Sequence, residues 1–204
     1  MEGMHNACEL THHLRRAGRL DEYRRQARQH ATRAGPFDMP EGDYADAFIA
    51  ENACRWLDDH AGGSQPWYLN VSFVGPHPPF WHPGERDIHP DQLSMPVVGA
   101  DDTPYLRDRR SHYLQKCILI DRYIDRVLGR LEAIGQADNT LVVFTSDHGD
   151  MLGDFGIWDK RYFYEQSVGV PLIVAGPGVP RDQRQMGGRH SRDLVSLLDL
   201  YPTF

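Results

Sequence analysis

Apolar and polar residues follow two different periods along the chain, and each period predicts its own kind of element. Helical spacing, with apolar residues at steps of three and four, occurs over residues 43–60 and again over residues 109–134. Three short, mostly apolar runs at residues 67–74, 139–146 and 170–177 predict buried strands instead. The order strand, helix, strand indicates an α/β layered fold in which right-handed crossovers join the strands.

Each predicted helix has an apolar stripe and a polar face. Asp43 is the predicted N-cap of the first helix, and Gly135 is the predicted residue just beyond the second. The face opposite the second stripe carries arginine, aspartate and lysine. The stripes expected to be buried are Phe48, Ile49, Ala53, Trp56 and Leu57 in the first helix and Tyr113, Cys117, Ile120, Ile124, Leu128, Leu131 and Ile134 in the second.

The N-terminal part of the chain has a different charge pattern from the rest. Residues 1–36 are predicted to form a basic helical segment, ahead of an α/β domain over residues 37–204. The segment has seven arginines between Arg15 and Arg33, against only Asp21 and Glu22. Such a pattern is typical of a solvated amphipathic helix or flap, or of a surface that binds phosphate or a partner.

Composition restricts the classes of function. The 204 residues are 40% hydrophobic and 25% charged, which is ordinary for a globular protein. A net charge of −7 argues against a nucleic-acid-binding protein, so an anionic substrate would need a local cluster of positive charge. The three cysteines form no CxxC pair, which disfavours a disulfide framework. No apolar run approaches the roughly 18 residues of a membrane-spanning helix.

Candidate chemistry is concentrated where the strand predicted at residues 139–146 ends. Asp147 and His148 follow this apolar run directly, and Gly149 behind them permits a sharp turn close to a ligand. A carboxylate oxygen and an imidazole nitrogen make a reasonable half of a divalent-cation site. The alternative is that Asp147 caps the next turn while His148 is an ordinary surface residue.

Two further side chains are candidates for handling an anion. Lys160 follows a glycine-rich loop, which its glycines and Trp158 predict to fold back on itself. The Lys160 ammonium suits a tetrahedral anion such as sulfate or phosphate, unless it is simply an exposed lysine. His77 lies between prolines in a stiff loop after residues 67–74, where it is placed for hydrogen bonding or proton transfer. His82 and His89 share this loop, but their spacing matches no standard zinc pattern.

Three stretches carry a family resemblance: FVGPHPPF, TSDHGDMLGDFGIWDK and YEQSVGVPLIVAGPG. They resemble the sulfatase family of the alkaline phosphatase-like superfamily, and the likeness runs from about residue 43 to residue 204. It implies an alkaline phosphatase-like layered sheet with flanking helices, present only in part. It also implies that Asp147 and His148 are metal ligands, and that Lys160 and His77 contact the sulfate group of a small-molecule or saccharide sulfate ester.

The resemblance implies cofactors as well. The metal is usually Ca²⁺, with Mn²⁺ in related phosphonate and phosphodiester hydrolases, and His148 stands where many relatives have asparagine, which favours the softer ion. Phe155 stands where many relatives have histidine, so any substrate contact made there is lost or replaced. Relatives carry an acidic pair and a Cys- or Ser-x-Pro-x-Arg motif upstream, whose first residue becomes the formylglycine nucleophile. That motif does not occur in these 204 residues.

The sequence therefore predicts a sulfatase, a metal-dependent hydrolase of sulfate esters, represented by a catalytically incomplete fragment. We expect no nucleic-acid partner and no membrane span. Two alternatives stay open. One is a phosphonate monoester or phosphodiester hydrolase of the same superfamily, and the other is a non-catalytic chain that keeps the metal-binding loop.

Overall fold

The computed structural model describes residues 8–29, 34–84, 87–93, 99, 101, 103–179 and 189–203. Its contacts divide the chain into two compact units, Met1–Gln136 and Ala137–Phe204. Helices dominate the first unit, and a pair of strands with long loops makes up most of the second. The division of the chain at residues 36/37 stays a prediction. None of the described helices is both long and apolar enough to cross a bilayer.

The first unit contains the two long helices that the sequence predicts. The described helices of this unit are α1 Glu9–Arg16, α2 Leu20–Gln29, α3 Ala45–His60 and α4 Pro104–Ala133. Helix α4 begins earlier than predicted because the Thr103 hydroxyl accepts a hydrogen bond from the Leu106 amide at 3.1 Å and Pro104 occupies the first turn. Gly135 follows the helix at φ +72°, which confirms its predicted place.

Helices α1 and α2 make up most of the described residues of the basic N-terminal segment, which also includes the short strand Gly35–Pro36; residues 1–7 and 30–33 lie outside the described residues. Asp43 is buried, and its carboxylate accepts a hydrogen bond from His13 at 2.9 Å and forms an ion pair with Arg19. The prediction that Asp43 caps α3 is therefore wrong, and the cap position belongs to Tyr44. A carboxylate already engaged by His13 and Arg19 is not available to the helix amides.

The core of the first unit is largely aromatic. Phe37 packs edge-to-face against Tyr44 and Trp81, with ring centroids 5.4 and 5.3 Å apart. A short parallel pair, β1 Gly35–Pro36 with β2 Trp81–His82, lies beside these rings. The buried residues that complete this cluster are Ala47, Ala50, Leu119 and Tyr123.

Helix α4 buries a different face from the predicted one. Of the predicted stripe only Leu131 is buried, whereas Leu128 is exposed. The buried residues of α4 are Leu106, Ser111, His112, Gln115, Lys116, Leu119, Tyr123 and Leu131. Four of these are polar, and they are tolerated in the interior because each has a hydrogen-bond partner. The partners of His112, Gln115 and Lys116 lie in β2 and in loops packed on α4, and the partner of Ser111 is a carbonyl of α4 itself. In α3 two of the five residues of the predicted stripe, Ala53 and Leu57, are buried.

Residues 67–74 do not form the predicted strand. Their side chains alternate between half-buried and exposed, with Tyr68 77% exposed, and no described strand pairs with them. The alternation is that of an extended chain, but a strand also requires a neighbour that completes its hydrogen bonds. The prediction of a buried strand here is wrong because, among the described residues, this neighbour is missing.

The second unit contains the other two predicted strands, as β3 Val142–Thr145 and β4 Leu172–Ala175. They pair directly and antiparallel, with Val142 opposite Ala175 and Thr145 opposite Leu172, so no parallel crossover joins them. The expectation of full burial is also wrong, because β4 is exposed along its whole length. The fold class is nevertheless α/β, as predicted.

Candidate functional site

The turn after β3 gathers polar groups at the end of the strand. The Ser146 hydroxyl donates to the His148 carbonyl at 2.9 Å, and the His148 amide donates to Asp147 Oδ1 at 3.1 Å. The Gly149 amide donates to the Ser167 carbonyl at 2.8 Å. A Cβ on Gly149 would collide with the carbonyl oxygen of Gln166, so only glycine lets these two segments lie so close.

The His148 ring lies between a carbonyl and an ammonium. Its Nδ1 is 2.6 Å from the Gly149 carbonyl oxygen, which can only accept, so Nδ1 carries the proton. Its Nε2 then accepts from Lys160 Nζ at 2.7 Å and lies 3.6 Å from Asp147 Oδ2. The structure thus brings Asp147, His148 and Lys160 together, with two ligand-type atoms and one positive charge at one point.

The loop between His148 and Lys160 folds back on itself, as the sequence indicates. The Met151 amide donates to the Asp159 carbonyl at 3.1 Å, and the Gly153 amide donates to the Ile157 carbonyl at 2.8 Å. Met151 is buried and anchors the loop. These contacts return the chain to the end of β3 and deliver Lys160 beside the His148 ring.

Phe155, at the tip of this loop, stacks on Tyr164. The two rings lie 4.6 Å apart at an angle of 20°, and both are partly exposed. Phe155 has φ +56°, an uncommon conformation for a bulky side chain. Aromatic stacking therefore occupies the tip of this loop.

The donor set fits part of a divalent-cation site. Asp147 and His148 offer one carboxylate and one imidazole nitrogen, a mixed set that suits Mn²⁺ as well as Ca²⁺. The described residues contain no group of three or more His, Cys, Asp or Glu side chains that could hold a metal ion. Two residues are well short of the six to eight ligands that Ca²⁺ takes.

His77 lies in the first unit, on the loop between residues 74 and 80. Its side chain is exposed, its Nδ1 lies 2.6 Å from the Pro78 carbonyl oxygen, and its own carbonyl accepts from Lys116 Nζ at 2.6 Å. The other two histidines of the loop differ from each other, since His82 is buried and His89 is exposed.

Sequence reasoning missed two buried polar groups beside the His77 loop. Lys116 was expected on the solvent face of α4, and His112 was not singled out, yet both are buried. His112 Nδ1 lies 2.9 Å from His82 Nε2. The prolines around His77 show that the loop is stiff, but nothing in the local sequence shows which distant side chains hold it.

Comparison with known proteins identifies the family. The family model for sulfatases matches residues 6–204. The chain belongs to the sulfatase family. It is 28% identical to iduronate 2-sulfatase of Mus musculus, over 81% of this chain and 40% of that protein. It is 33% identical to choline-sulfatase of Rhizobium meliloti, over 65% of this chain and 31% of that protein.

A solved structure resembles this sulfatase-family chain in three dimensions. A phosphonate monoester hydrolase from Silicibacter pomeroyi matches with a TM-score of 0.70 and 25% identity, over 84% of this chain and 42% of that one. The fold is therefore α/β and alkaline phosphatase-like, as predicted. The chain spans about two fifths or less of the length of these relatives.

Proposed function

We propose that this chain carries the cation-binding and sulfate-binding part of a sulfatase site. The observation that carries the proposal is the cluster at the end of β3, where His148 Nε2 lies 2.7 Å from Lys160 Nζ and 3.6 Å from Asp147 Oδ2. Membership of the sulfatase family supports sulfate ester hydrolysis as the reaction. The names iduronate 2-sulfatase and choline-sulfatase support a saccharide or small-molecule sulfate ester as the substrate.

Each residue has a distinct role in the proposal. The Lys160 ammonium binds sulfate oxygens and stabilises the charge on the transferred group. Asp147 and His148 are the ligands of the ion, with His148 using Nε2 because Nδ1 is bonded to the Gly149 carbonyl, and the ion replaces Lys160 Nζ at the Nε2 lone pair. A divalent cation, Ca²⁺ or Mn²⁺, would neutralise further charge on the sulfate. His77 binds the ester and, from the doubly protonated ring, donates its Nε2 proton to the departing oxygen, which leaves the neutral ring protonated at Nδ1.

The proposal also requires parts of the site, a nucleophile and further metal ligands, that these 204 residues do not supply. Its 204 residues contain no Cys- or Ser-x-Pro-x-Arg sequence, so the formylglycine nucleophile has to come from outside them. The remaining ligands of the ion have to come from outside as well, because Asp147 and His148 fill only part of a coordination shell. In this proposal the isolated chain is a catalytically incomplete fragment.

Calorimetric titration of the isolated chain tests this function. We expect weak cation binding, on the order of millimolar, for CaCl₂ or MnCl₂, and Asp147→Asn should weaken it at least about tenfold, or about 1.4 kcal/mol. Lys160→Met should instead weaken the binding of inorganic sulfate, because it removes the positive charge while keeping the length of the side chain.

Asp138→Asn is the matched control, since it makes the same charge change at an exposed position of the same unit. It should leave both titrations unchanged. The proposal fails if neither cation nor sulfate binds, or if Asp147→Asn and Asp138→Asn bind the cation equally well. A cation that binds tightly without sulfate binding would favour a non-catalytic metal-binding chain.

A second candidate has support from the structural comparison. The phosphonate monoester hydrolase from Silicibacter pomeroyi covers most of this chain, and a cluster of one ammonium and two ligand residues suits phosphate as well as sulfate. Inorganic phosphate or methylphosphonate that competes with sulfate for Lys160, and binds more tightly, would favour this activity.

A further inference from the structure

The loop that carries His77 is held from beneath by a buried lysine. Lys116, on α4, is only 3% exposed. Its Nζ donates to the backbone carbonyl of His77 at 2.6 Å and to that of Pro79 at 3.2 Å. Lysines are almost never fully buried unless they are paired, because the ammonium loses its hydration. Two carbonyls of one short loop are an unusual destination for such a group.

A buried carboxylate holds the start of the same loop. Asp46, on α3, is 1% exposed and accepts from the amides of Val74 and Gly75 at 2.6 and 3.0 Å, both through Oδ1. Its negative charge favours the charged form of Lys116, against the larger effect of burial. Buried charges persist where hydrogen bonds satisfy them, and the backbone of this loop satisfies both.

The loop lies directly on this pair of side chains. A Cβ on Gly75 would be 2.8 Å from Asp46 Oδ2, 2.8 Å from Ile120 Cδ1 and 3.2 Å from Lys116 Cε. No larger residue fits without displacing these groups. Gly75 therefore allows the backbone to reach the charges.

Lys116 binds the carbonyls of His77 and Pro79, and the Pro78 carbonyl between them contacts the His77 ring. The Pro78 carbonyl oxygen lies 2.6 Å from His77 Nδ1, and because it can only accept, Nδ1 carries the proton. In the neutral ring the lone pair then belongs to Nε2. Three consecutive carbonyls, those of residues 77 to 79, are thus each bound, two by Lys116 and one by His77.

We propose that Lys116 is a positioning residue for His77. By holding the carbonyls of His77 and Pro79, it turns the Pro78 carbonyl towards the His77 ring and keeps a proton on Nδ1, so that Nε2 is the nitrogen that takes up a second proton and releases it again. The inference rests on the proposed function only for what Nε2 does with a substrate. The contacts themselves need neither substrate nor cation.

Nitrogen-15 NMR of the full 204-residue chain with labelled histidine tests the inference. The spectrum is recorded at about pH 8, above the usual histidine pKa, and His77→Gln identifies the His77 signals among the eleven histidines. We expect the wild type to show one protonated and one unprotonated ring nitrogen for His77. In Lys116→Met the two shifts should move towards each other, because both tautomers are populated once the carbonyls are released.

Gln115→Met is the matched control. Gln115 is the adjacent buried polar residue of α4, and it binds Asp87 rather than any of residues 74–80. It should lower stability and leave the His77 shifts unchanged. A folded Lys116→Met chain with wild-type His77 shifts would overturn the inference, and so would an equal change in Gln115→Met.

A measurement on the wild type decides the matter if Lys116→Met does not fold. We expect a nuclear Overhauser effect between the Lys116 ε-protons and the Gly75 α-protons, since these groups are in contact. Its absence would overturn the inference. Cation and sulfate binding by Asp147 and Lys160 are measured separately, so failure of the proposed function and failure of this inference give different results.

Discussion

At the scale of single residues, burial changes the chemistry of Lys116 more than any other feature of its surroundings. Burial lowers the pKa of Lys116 to about 8 from the usual 10.5, although the Asp46 carboxylate opposes the shift. The neutral amine keeps two N–H groups, so it still donates to the carbonyls of His77 and Pro79. The contact with the loop therefore survives deprotonation, while the cost of burying a charge disappears.

The pKa of Lys116 can be measured directly because the chain has only two lysines, Lys116 and Lys160. We expect a carbon-13 signal from the Lys116 ε-carbon to titrate with a midpoint near pH 8, and Lys160→Arg to remove the other signal. A folded pKa below the unfolded one means that the unfolded chain binds more protons between the two values.

The sign of the effect on stability follows from this difference. The free energy of unfolding of the wild type should rise, relative to Lys116→Met, as the pH increases from about 8 towards 10.5. Below about pH 8 this contribution is absent. Urea unfolding of both chains at several pH values checks it, and a Lys116 midpoint at the ordinary lysine value would contradict the prediction.

At the scale of elements, α4 shows how backbone conformation and side-chain packing contribute separately to the stability of a helix. Surface ion pairs join Arg126 to Glu51 and Arg130 to Asp58 of α3, and such exposed pairs contribute little. The helix is held mainly by its buried face. Its C-terminal end, by contrast, depends on Gly135, whose left-handed conformation lets its amide bond to the Glu132 carbonyl at 2.8 Å.

Two glycines near the end of α4 should respond oppositely to the same substitution. Gly129→Ala, at an exposed position inside the helix, should raise the free energy of unfolding by about 0.5–1 kcal/mol, because alanine loses less backbone entropy. Gly135→Ala should lower it by about 1–2 kcal/mol, since φ is +72° there.

The two substitutions are controls for each other, because a Cβ at either position meets nothing within 4 Å. Any difference between their effects on the free energy of unfolding therefore comes from the backbone conformation alone. Urea unfolding midpoints of the two variants and the wild type give the comparison. Changes of equal sign would show that Gly135 does not adopt the left-handed conformation beyond the end of α4.

At the scale of the whole molecule, both units leave exposed what the sequence expects to be covered. In the first unit, residues 67–74 lack a neighbouring strand among the described residues, and in the second, β4 is exposed along its length. The chain spans 40% of iduronate 2-sulfatase of Mus musculus. The proposed site is also incomplete, since the 204 residues contain no Cys- or Ser-x-Pro-x-Arg motif.

We expect the isolated chain not to hydrolyse sulfate esters. The reason is that, in the proposed function, it supplies Asp147, His148, Lys160 and His77 but no nucleophile and only two ligands for the ion. The measurement is release of the chromophore from an aryl sulfate, with Ca²⁺ or Mn²⁺ added. Turnover that Asp147→Asn abolishes and Asp138→Asn preserves would contradict this expectation.

The sequence by itself determined the elements and turns that depend on local patterns. Helical periodicity predicted α3 and α4, apolar runs predicted β3 and β4, and Gly149 marked the turn that holds Asp147 beside His148. The glycine-rich loop was expected to fold back, and it does, which places Lys160 at the same point. Each of these features depends on residues close together in the chain, so the pattern was sufficient.

Only the tertiary structure decided what covers each surface. The apolar stripe of α4 identified a helix but not its buried face. Lys116 was expected in solvent, but it is buried and donates to the carbonyls of residues 77 and 79. Asp43 similarly binds Arg19 instead of capping α3. The physical reason is the same in each case. A polar group can be buried without a large cost only if a hydrogen-bond or charge partner contacts it, and here the partners come from distant parts of the chain.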